Sequence, residues 1–256
     1  MAPKIQLVMT VWNREKYLRT AIESVLSQSF ADWELIVWDN YSTDSSTKII
    51  EEFVARDSRI KAVYHSQNIG HPGALRIALA DNTSDYLGWV DSDDILAPTA
   101  LAETIALMDA DRDCGMVYSQ YMNIDAQGKE LGIGSICLLS YHHNRLLTTF
   151  ICHHFRLVRR SCYDLVGGVR ADCWYAEDYD LALKLSEVTK IIQLRKPLYY
   201  YRRHVESLSG TGPEALVTAS ASYVREALIR RGYDKLFKLV VGEDSSFRLE
   251  RVGAKK

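Results

Sequence analysis

No apolar stretch of this 256-residue chain reaches the ~18 residues that a membrane-crossing helix needs. Met1-Ala2-Pro3-Lys4 runs straight into a strand-like segment, without the apolar block of a secretory leader. Cysteine is scarce and poorly spaced for cross-linking. The five, Cys114, Cys137, Cys152, Cys162 and Cys173, form no Cys-x-x-Cys pair, which argues against a zinc site or a small disulfide scaffold. They read as free thiols of a reducing cytoplasm, with a single disulfide as the alternative. Neither sign of charge is in excess: 31 Lys and Arg face 33 Asp and Glu, for a net charge of −2. That balance gives no reason to expect nucleic acid or an anionic membrane as the main partner. The phosphate-binding pattern GxxxxGK[ST] is missing, which excludes a P-loop NTPase. No internal repeat and no linker marks a second independent domain.

Hydrophobic residues make up 47% of the chain, enough for one large α/β domain with a full core. Apolar runs at Ile5 to Met9, Trp33 to Trp38, Ile60 to Tyr64 and Tyr86 to Val90 read as buried strands. Between them lie segments of helical period. Leu18, Ala21, Ile22, Val25 and Leu26 share one face, with Asn13 as the expected cap. Ile49, Ile50, Phe53 and Val54 mark a second helix, and Ala74 to Ala80 a short third. Such alternation predicts a parallel sheet flanked by helices, and open α/β sheets bind ligands beyond the carboxyl ends of their strands. Thr10 to Asn13, Asp39 to Asp44 and Asp91 to Asp94 are therefore expected along one edge. After about residue 110 the pattern changes. Gly115 to Ile124 reads as a long strand, Phe155 to Val158 and Leu198 to Arg203 as others. Gly167-Gly168 closes a short helix, and Glu177 opens one with Leu181, Leu185 and Val188 on a face. A last helix spans roughly 213–231, and the polar stretch from Gly242 onward reads as loose. The segment 130–155 gives no clear assignment.

Acidic clusters carry most of the chemistry. Asp91-Ser92-Asp93-Asp94 sets three carboxylates within four residues after an apolar strand. Their repulsion asks for a cation or strong donors, and Mg²⁺ or Mn²⁺ favours carboxylates together with substrate phosphates. A helix start before Pro98, where acids are welcome, is the competing reading. Glu177-Asp178-Tyr179-Asp180 is either helix capping or a positioned base for an attacking hydroxyl. Asp39 is either a turn residue or a ligand contact. Tyr199 to His204 mixes aromatics with Arg202, Arg203 and His204, which suits either an exposed basic strand or phosphate and metal contacts. His142-His143 and His153-His154 lack metal spacing and read as loop or acceptor-cleft residues.

In combination these segments resemble the family 2 glycosyltransferases, which have the GT-A fold. The resemblance runs through Leu7-Val8-Met9-Thr10-Val11-Trp12-Asn13, Tyr17-Leu18, Ala21 to Gln28, Glu34-Leu35-Ile36-Val37, and Asp39 with Ser42-Thr43-Asp44. It continues with Asn68-Ile69-Gly70, Asp91-Ser92-Asp93-Asp94 as the DxD motif, Gly167-Gly168, Glu177 to Leu181, Pro197-Leu198-Tyr199, and Tyr201-Arg202-Arg203-His204 with Ser207 and Ser209. It covers about residues 5–209. Two positions depart from the common pattern. Trp12 stands where tyrosine is usual, and Tyr41 where many members carry the glycine of Asp-Asp-Gly, which leaves the base preference as the open point.

The resemblance implies a single GT-A domain over 1–212, a mostly parallel sheet with a nucleotide-binding half (1–110) and an acceptor-binding half (111–212), followed by a C-terminal helix and polar tail (213–256). It implies an inverting transfer from a nucleotide-diphospho-sugar, UDP first among bases, to a saccharide or glycolipid hydroxyl in polysaccharide or glycolipid assembly. Asp39 would bind the base. Thr10, Val11 and Asn13 would line the nucleotide pocket. Asp91 would contact the ribose or the water shell of the metal, Ser92 would belong to the nucleotide-sugar site, and Arg202 would touch phosphate. Asp93, with His204, would hold Mn²⁺ or Mg²⁺, and Asp178 would be the base. A cytoplasmic location follows, with contact at the inner membrane face left open for the last helix, whose Arg225, Arg230 and Arg231 read more simply as a solvated face. A sugar nucleotidyltransferase would carry a glycine-rich loop after the first strand, where Thr10-Val11-Trp12-Asn13-Arg14 has none. A non-catalytic nucleotide-sugar-binding module is the alternative, and it should have lost Asp93 or Asp178.

Overall fold

The computed structural model of the chain describes residues 3–81, 83–205 and 213–253. Its elements begin as the apolar patterning predicts: β1 (Ile5–Val11), α1 (Leu18–Leu26), β2 (Trp33–Asp39), α2 (Ser46–Arg56), β3 (Ile60–Tyr64), α3 (His71–Ala80) and β4 (Tyr86–Trp89). A two-residue strand, β5 (Ile95–Leu96), and α4 (Ala100–Ala110) follow. The second half adds β6 (Cys114–Ile124), β7 (Glu130–Ile133), β8 (Arg156–Arg159), α5 (Arg160–Leu165), α6 (Glu177–Val188), β9 (Lys190–Arg202) and α7 (Pro213–Arg230). Two single 3₁₀ turns, Ser135–Leu138 and Arg145–Leu147, occupy the segment that the sequence left unassigned.

Nine strands among the described residues form one sheet, in the order β3-β2-β1-β4-β8-β6-β9-β5, with β7 paired to β6 off that path. Its first part is wholly parallel, β1 lying between β2 and β4. The second part is mixed. β8 runs antiparallel between β4 and β6, while β9 runs parallel to β6 and returns antiparallel to β5. The mostly parallel sheet expected from the sequence is thus found, with parallel pairs β3–β2, β2–β1, β1–β4 and β6–β9, and the antiparallel pairs all lie at β5, β7 and β8.

β1 shows how the sheet is seated. Side chains alternate between faces along a strand. Ile5, Leu7, Met9 and Val11 enter the core shared with α1, α2 and α4, while Val8 enters the core on the other face with α3, α6 and α7. Each fully buried aliphatic side chain contributes roughly 1.5–3 kcal/mol. Gly88 of β4 is needed for the close approach of its neighbours, since a Cβ there would lie 2.8 Å from Leu7 Cδ2.

Three sequence readings change. α1 starts at Leu18 after Tyr17, so Asn13 does not cap it. Asn13 instead has φ +52°, a left-handed conformation that asparagine tolerates. The described part of the polar end, 242–253, is not loose. β10 (Phe237–Val241) and β11 (Phe247–Arg251) pair as an antiparallel hairpin, and Leu239, Phe247 and Leu249 pack against the second core. Arg231 is not solvated either. Its side chain is 7% exposed and, with Arg230, it pairs with Glu187, tying the end of α7 to α6. All five cysteines are free thiols. No helix among the described residues is long and apolar enough to cross a membrane.

Candidate active site

The carboxyl ends of β1 and β2 finish in register, Val11 opposite Asp39, and Asn40 N–H donates to Val11 O. Two loops leave these ends and bind each other. Asn13 N–H donates to Ser42 Oγ (3.1 Å), and Thr43 N–H donates to Asn13 Oδ1 (2.8 Å). Arg14 N–H donates to Ser46 Oγ, and Glu15 N–H to Asp44 Oδ2. The left-handed turn at Asn13 is what lets its short amide reach across. Asp39 is buried at the base of this junction. Its Oδ1 accepts from Ser42 N–H (2.9 Å) and its Oδ2 from Thr47 Oγ (2.7 Å). Each oxygen keeps a second lone pair. Asp39, Tyr41, Thr47, Tyr64 and His65 line an open recess of about 240 Å³. Tyr41 enters it with φ +72° and is 54% exposed. The left-handed conformation explains why a glycine is common at this point in the resembling family, and a bulky residue holds it at a cost of about 1–3 kcal/mol.

Beyond β4, Val90 N–H donates to Val8 O, which sets Asp91 to Asp94 beside the β1 loop. The run does not start a helix. It turns into β5, and α4 begins only at Ala100, so the helix-capping reading fails. Each acid meets a different surrounding. Asp91 N–H donates to Tyr199 Oη (3.1 Å), and that hydroxyl lies 3.3 Å from Asp91 Oδ2. Burial raises the Asp91 carboxyl, with His71 and Arg156 opposing and Asp93 adding to the rise. Ser92 is buried. Asp93 Oδ2 lies 3.2 Å from Arg14 Nε and 3.0 Å from His204 Nε2. Asp94 is buried, accepts Arg202 N–H at 2.6 Å through Oδ1, and is pushed well up by burial and by Asp91 and Asp93. Arg202 itself faces inward. Its guanidinium donates to the carbonyls of Asp93, Asp125 and Ala126, so it fastens the acidic loop to the β6–β7 turn.

Asp178 stands in the first turn of α6, after Ala176 at φ +57°. Its Oδ2 accepts from Arg156 Nη2 at 2.8 Å. Burial raises its carboxyl to about 6; Arg156 opposes, and Glu177 and Asp91 add to the rise. Glu177 turns instead to His71, 3.2 Å from its Nε2, while His71 Nδ1 meets Thr10 Oγ at 2.8 Å. Burial opposes charging His71, but Glu177 wins, with Asp91 and Asp178 behind it, and the imidazole rises to about 9. One histidine thus joins β1 to α6.

The structure therefore brings Thr10, Val11, Asn13, Asp39, Asp91, Ser92, Asp93, Arg202 and His204 to one edge, and the Thr10–His71–Glu177 contacts tie that edge to the first turn of α6, which carries Asp178. Ser207 and Ser209 lie outside the described residues. Sequence reasoning missed Arg14, His71 and Arg156 as parts of this site. Arg156 had a usable signal, an arginine inside the apolar run Phe155-Arg156-Leu157-Val158, because a buried cation needs a partner. His71 had none nearby; its partners lie 61 residues before it and, at Glu177, far after it.

Asp93 and His204 offer one carboxylate oxygen and one imidazole nitrogen at close range. No group of three or more His, Cys, Asp or Glu among the described residues makes a complete metal site. The pair fits a divalent ion whose other ligands are diphosphate oxygens and water.

A family model described as glycosyl transferase family 2 matches residues 6–167. The chain belongs to the family 2 glycosyltransferases. It is 30% identical over 233 residues to a chondroitin synthase of Escherichia coli, covering 91% of this chain and 34% of that one. The chain spans about a third or less of the first four curated relatives it matches, from 18% to 34% of their lengths. The crystal structure of Staphylococcus aureus TarS 1–349 in complex with UDP-GlcNAc superposes with a TM-score of 0.73 at 20% identity, covering 88% of this chain and 66% of that one. The mannosyltransferase PcManGT of Pyrobaculum calidifontis, in complex with GDP-Man and Mn²⁺, gives 0.63 at 16% identity, covering 91% and 65%. These likenesses establish the GT-A fold.

Proposed function

We propose that this glycosyltransferase moves a sugar from a UDP-sugar to a saccharide or glycolipid hydroxyl with inversion, as a step of polysaccharide or glycolipid assembly. The carrying observation is Asp178, a carboxyl that Arg156 holds at 2.8 Å and that burial raises to about 6, with Glu177 and Asp91 adding to the rise. A base should be ionised yet basic near neutral pH, and a carboxyl raised to that value meets both demands. Asp178 takes the proton of the acceptor hydroxyl, Arg156 holds the carboxylate in place, and the acceptor oxygen attacks the anomeric carbon from the side opposite the leaving diphosphate. An α-linked donor then gives a β-linked product.

On the donor side, Asp39 accepts from the base within the recess that Tyr41 and Tyr64 flank. Thr10, Val11 and Asn13 line the nucleotide, with Asp91 and Ser92 toward the ribose and diphosphate. Asp93 and His204 would hold Mn²⁺ or Mg²⁺, and an ion bound there would supply Lewis-acid stabilisation of the departing diphosphate. Arg202 is occupied with loop carbonyls, so we assign the phosphate contact to Arg14, whose guanidinium already faces the same carboxylate. We retain the division into a donor half (1–110) and an acceptor half (111–212), and a cytoplasmic site of action. Support comes from the UDP-GlcNAc and the GDP-Man with Mn²⁺ in the two fold neighbours, and from the synthase among the relatives.

Calorimetric titration of UDP, GDP and ADP with Mn²⁺ and with chelator tests the reading. Metal-dependent UDP binding that is lost in Asp93→Ala and kept in Asp178→Asn is expected. Binding of no nucleotide under any condition would overturn the donor site. Sugar transfer by Asp178→Asn at the parent rate would overturn the base.

A further inference from the structure

Tyr41 is held at φ +72°, a conformation that glycine adopts freely and tyrosine does not. Its neighbours fix it there. Asn40 is buried, its Nδ2 donates to Asn68 Oδ1 (2.8 Å), and its Oδ1 accepts from Ile69 N–H (3.1 Å). On the other side, Ser42 N–H donates to Asp39 Oδ1, and Ser42 Oγ accepts from Asn13 N–H. The turn is tied before and after Tyr41, so the backbone cannot relax around it. The side chain recovers little of that strain by burial, since the residue is 54% exposed. Strain of this kind collects where a ligand is clamped, and a strained ring that packs so little within its own chain calls for a partner from outside.

The recess names the partner. Tyr41 lines it together with Asp39, Thr47, Glu51, Tyr64 and His65. Tyr64 pairs with Asp39 on the adjacent parallel strand, so the two side chains share a face of the sheet. The β3 side is rigid: His65 N–H donates to Asp39 O (2.9 Å), and the His65 ring stacks on Trp38 at 5.7 Å. Two half-exposed tyrosines thus border a carboxylate that is 3% exposed and keeps lone pairs to spare. Burial, and after it the charges of Glu51 and Asp39, raise the Tyr64 phenol, which stays a neutral hydroxyl able to donate to a carbonyl. A planar heterocycle that gives an N–H to Asp39 lies in the plane of that hydrogen bond and turns its faces to the walls. Every nucleobase has such a face, and stacking on an aromatic ring is favourable whichever base it is.

We propose that Tyr41 is a clamping residue for the nucleobase, its ring lying on the face of the heterocycle that Asp39 holds by the edge. The proposal rests on the reading of this recess as the base end of a nucleotide-sugar site. Many members of the resembling family carry glycine at this position and have no ring to offer from it. This chain keeps the glycine-like turn, places a tyrosine in it, and so grips the heterocycle itself in addition to whatever holds the diphosphate.

The test titrates UDP with Mg²⁺ into the whole chain by calorimetry and follows the uracil H5 and H6 resonances by NMR. In the parent both should move upfield on binding, as protons under an aromatic ring do. Tyr41→Phe keeps the ring and should stay within about twofold of the parent affinity. Tyr41→Asn removes the ring but keeps a residue that tolerates the left-handed turn, and should bind UDP about tenfold more weakly with much smaller upfield shifts. Tyr41→Gly should lose the same factor, and urea denaturation of both variants shows that they are folded. Parent affinity in either ringless variant, or upfield shifts that persist unchanged in them, overturns the proposal. Tighter UDP binding by Tyr41→Gly overturns it as well, since the ring would then be a plug. UDP binding that needs Asp93 and is indifferent to Tyr41 sinks only the clamp. No UDP binding by the parent sinks the donor site, and the clamp with it.

Discussion

Replacing Arg156 by methionine should move the titration of Asp178 upward. Arg156 is 4% exposed in its side chain, donates to Asp178 at 2.8 Å, and packs near Trp89 and Phe150, where methionine can take its volume. Two unit charges about 4 Å apart interact by about 4 kcal/mol at an effective dielectric of about 20. Asp178 is 24% exposed, so solvent screens part of that. A remaining effect of about 1.5–3 kcal/mol corresponds to about one to two pH units. The midpoint of Asp178 should then rise from about 6 to between about 7 and 8. At pH 7 the ionised fraction falls from about nine-tenths to between about a half and a tenth, and the transfer rate falls with it. The rate recovers near pH 9. Carboxyl ¹³C titration, with Asp178→Asn to assign the signal, reads the midpoint directly, without an acceptor. Arg156→Lys keeps the charge and should stay close to the parent. A midpoint that does not rise, or a rate lost equally at every pH, would refute the electrostatic role of Arg156.

Tyr41→Gly should leave stability unchanged or raise it by up to about 1 kcal/mol, because relief of the left-handed tyrosine offsets the freedom glycine gains when unfolded. Urea denaturation checks this, and Tyr41→Val, which keeps the strain and adds branching, should be clearly less stable. His71→Gln should cost about 1–3 kcal/mol at pH 6, through loss of the charged contact to Glu177. His71 is raised from 6.5 to about 9, so its contribution is complete below about 6.5 and disappears as pH climbs through about 9. The gap between parent and variant should therefore close at pH 10, and a gap that stays constant would show that the imidazole acts only by packing. Phe247→Asp should destabilise by about 2–4 kcal/mol, since Phe247 packs into the core shared with α6 and α7. A change below about 0.5 kcal/mol would mean that the hairpin is an ornament.

The donor half was the most legible part. Ile5 to Met9 and Tyr86 to Val90 are apolar on both faces because helices cover both sides of a parallel sheet, and the polar clusters at their ends could lie only at the carboxyl edge. The acidic residues were legible by type and spacing, their partners were not. Arg14, His71 and Arg156 reach Asp93, Glu177 and Asp178 over long separations that leave no local period. β5 was invisible because two residues carry no pattern, and its pairing with Tyr199 and Tyr200 comes from β9. The segment 130–155 resisted because its 3₁₀ turns and short strand bury single residues such as Cys137, Leu146 and Ile151 rather than a periodic face. In the C-terminal hairpin, Phe247 and Leu249 do alternate, but Arg248 and Glu250 between them lowered the average polarity signal that was read.

Because the Arg14 guanidinium already compensates Asp93, a divalent ion arriving by itself would exchange one cation for another and gain little. An ion arriving with a diphosphate changes the balance, since the displaced guanidinium then has phosphate oxygens to turn to. Ion and nucleotide are accordingly expected to tighten each other's binding by the same factor, as linkage requires. The empty enzyme would then ignore free Mg²⁺ or Mn²⁺ at ordinary concentrations and commit the metal only as part of a loaded donor.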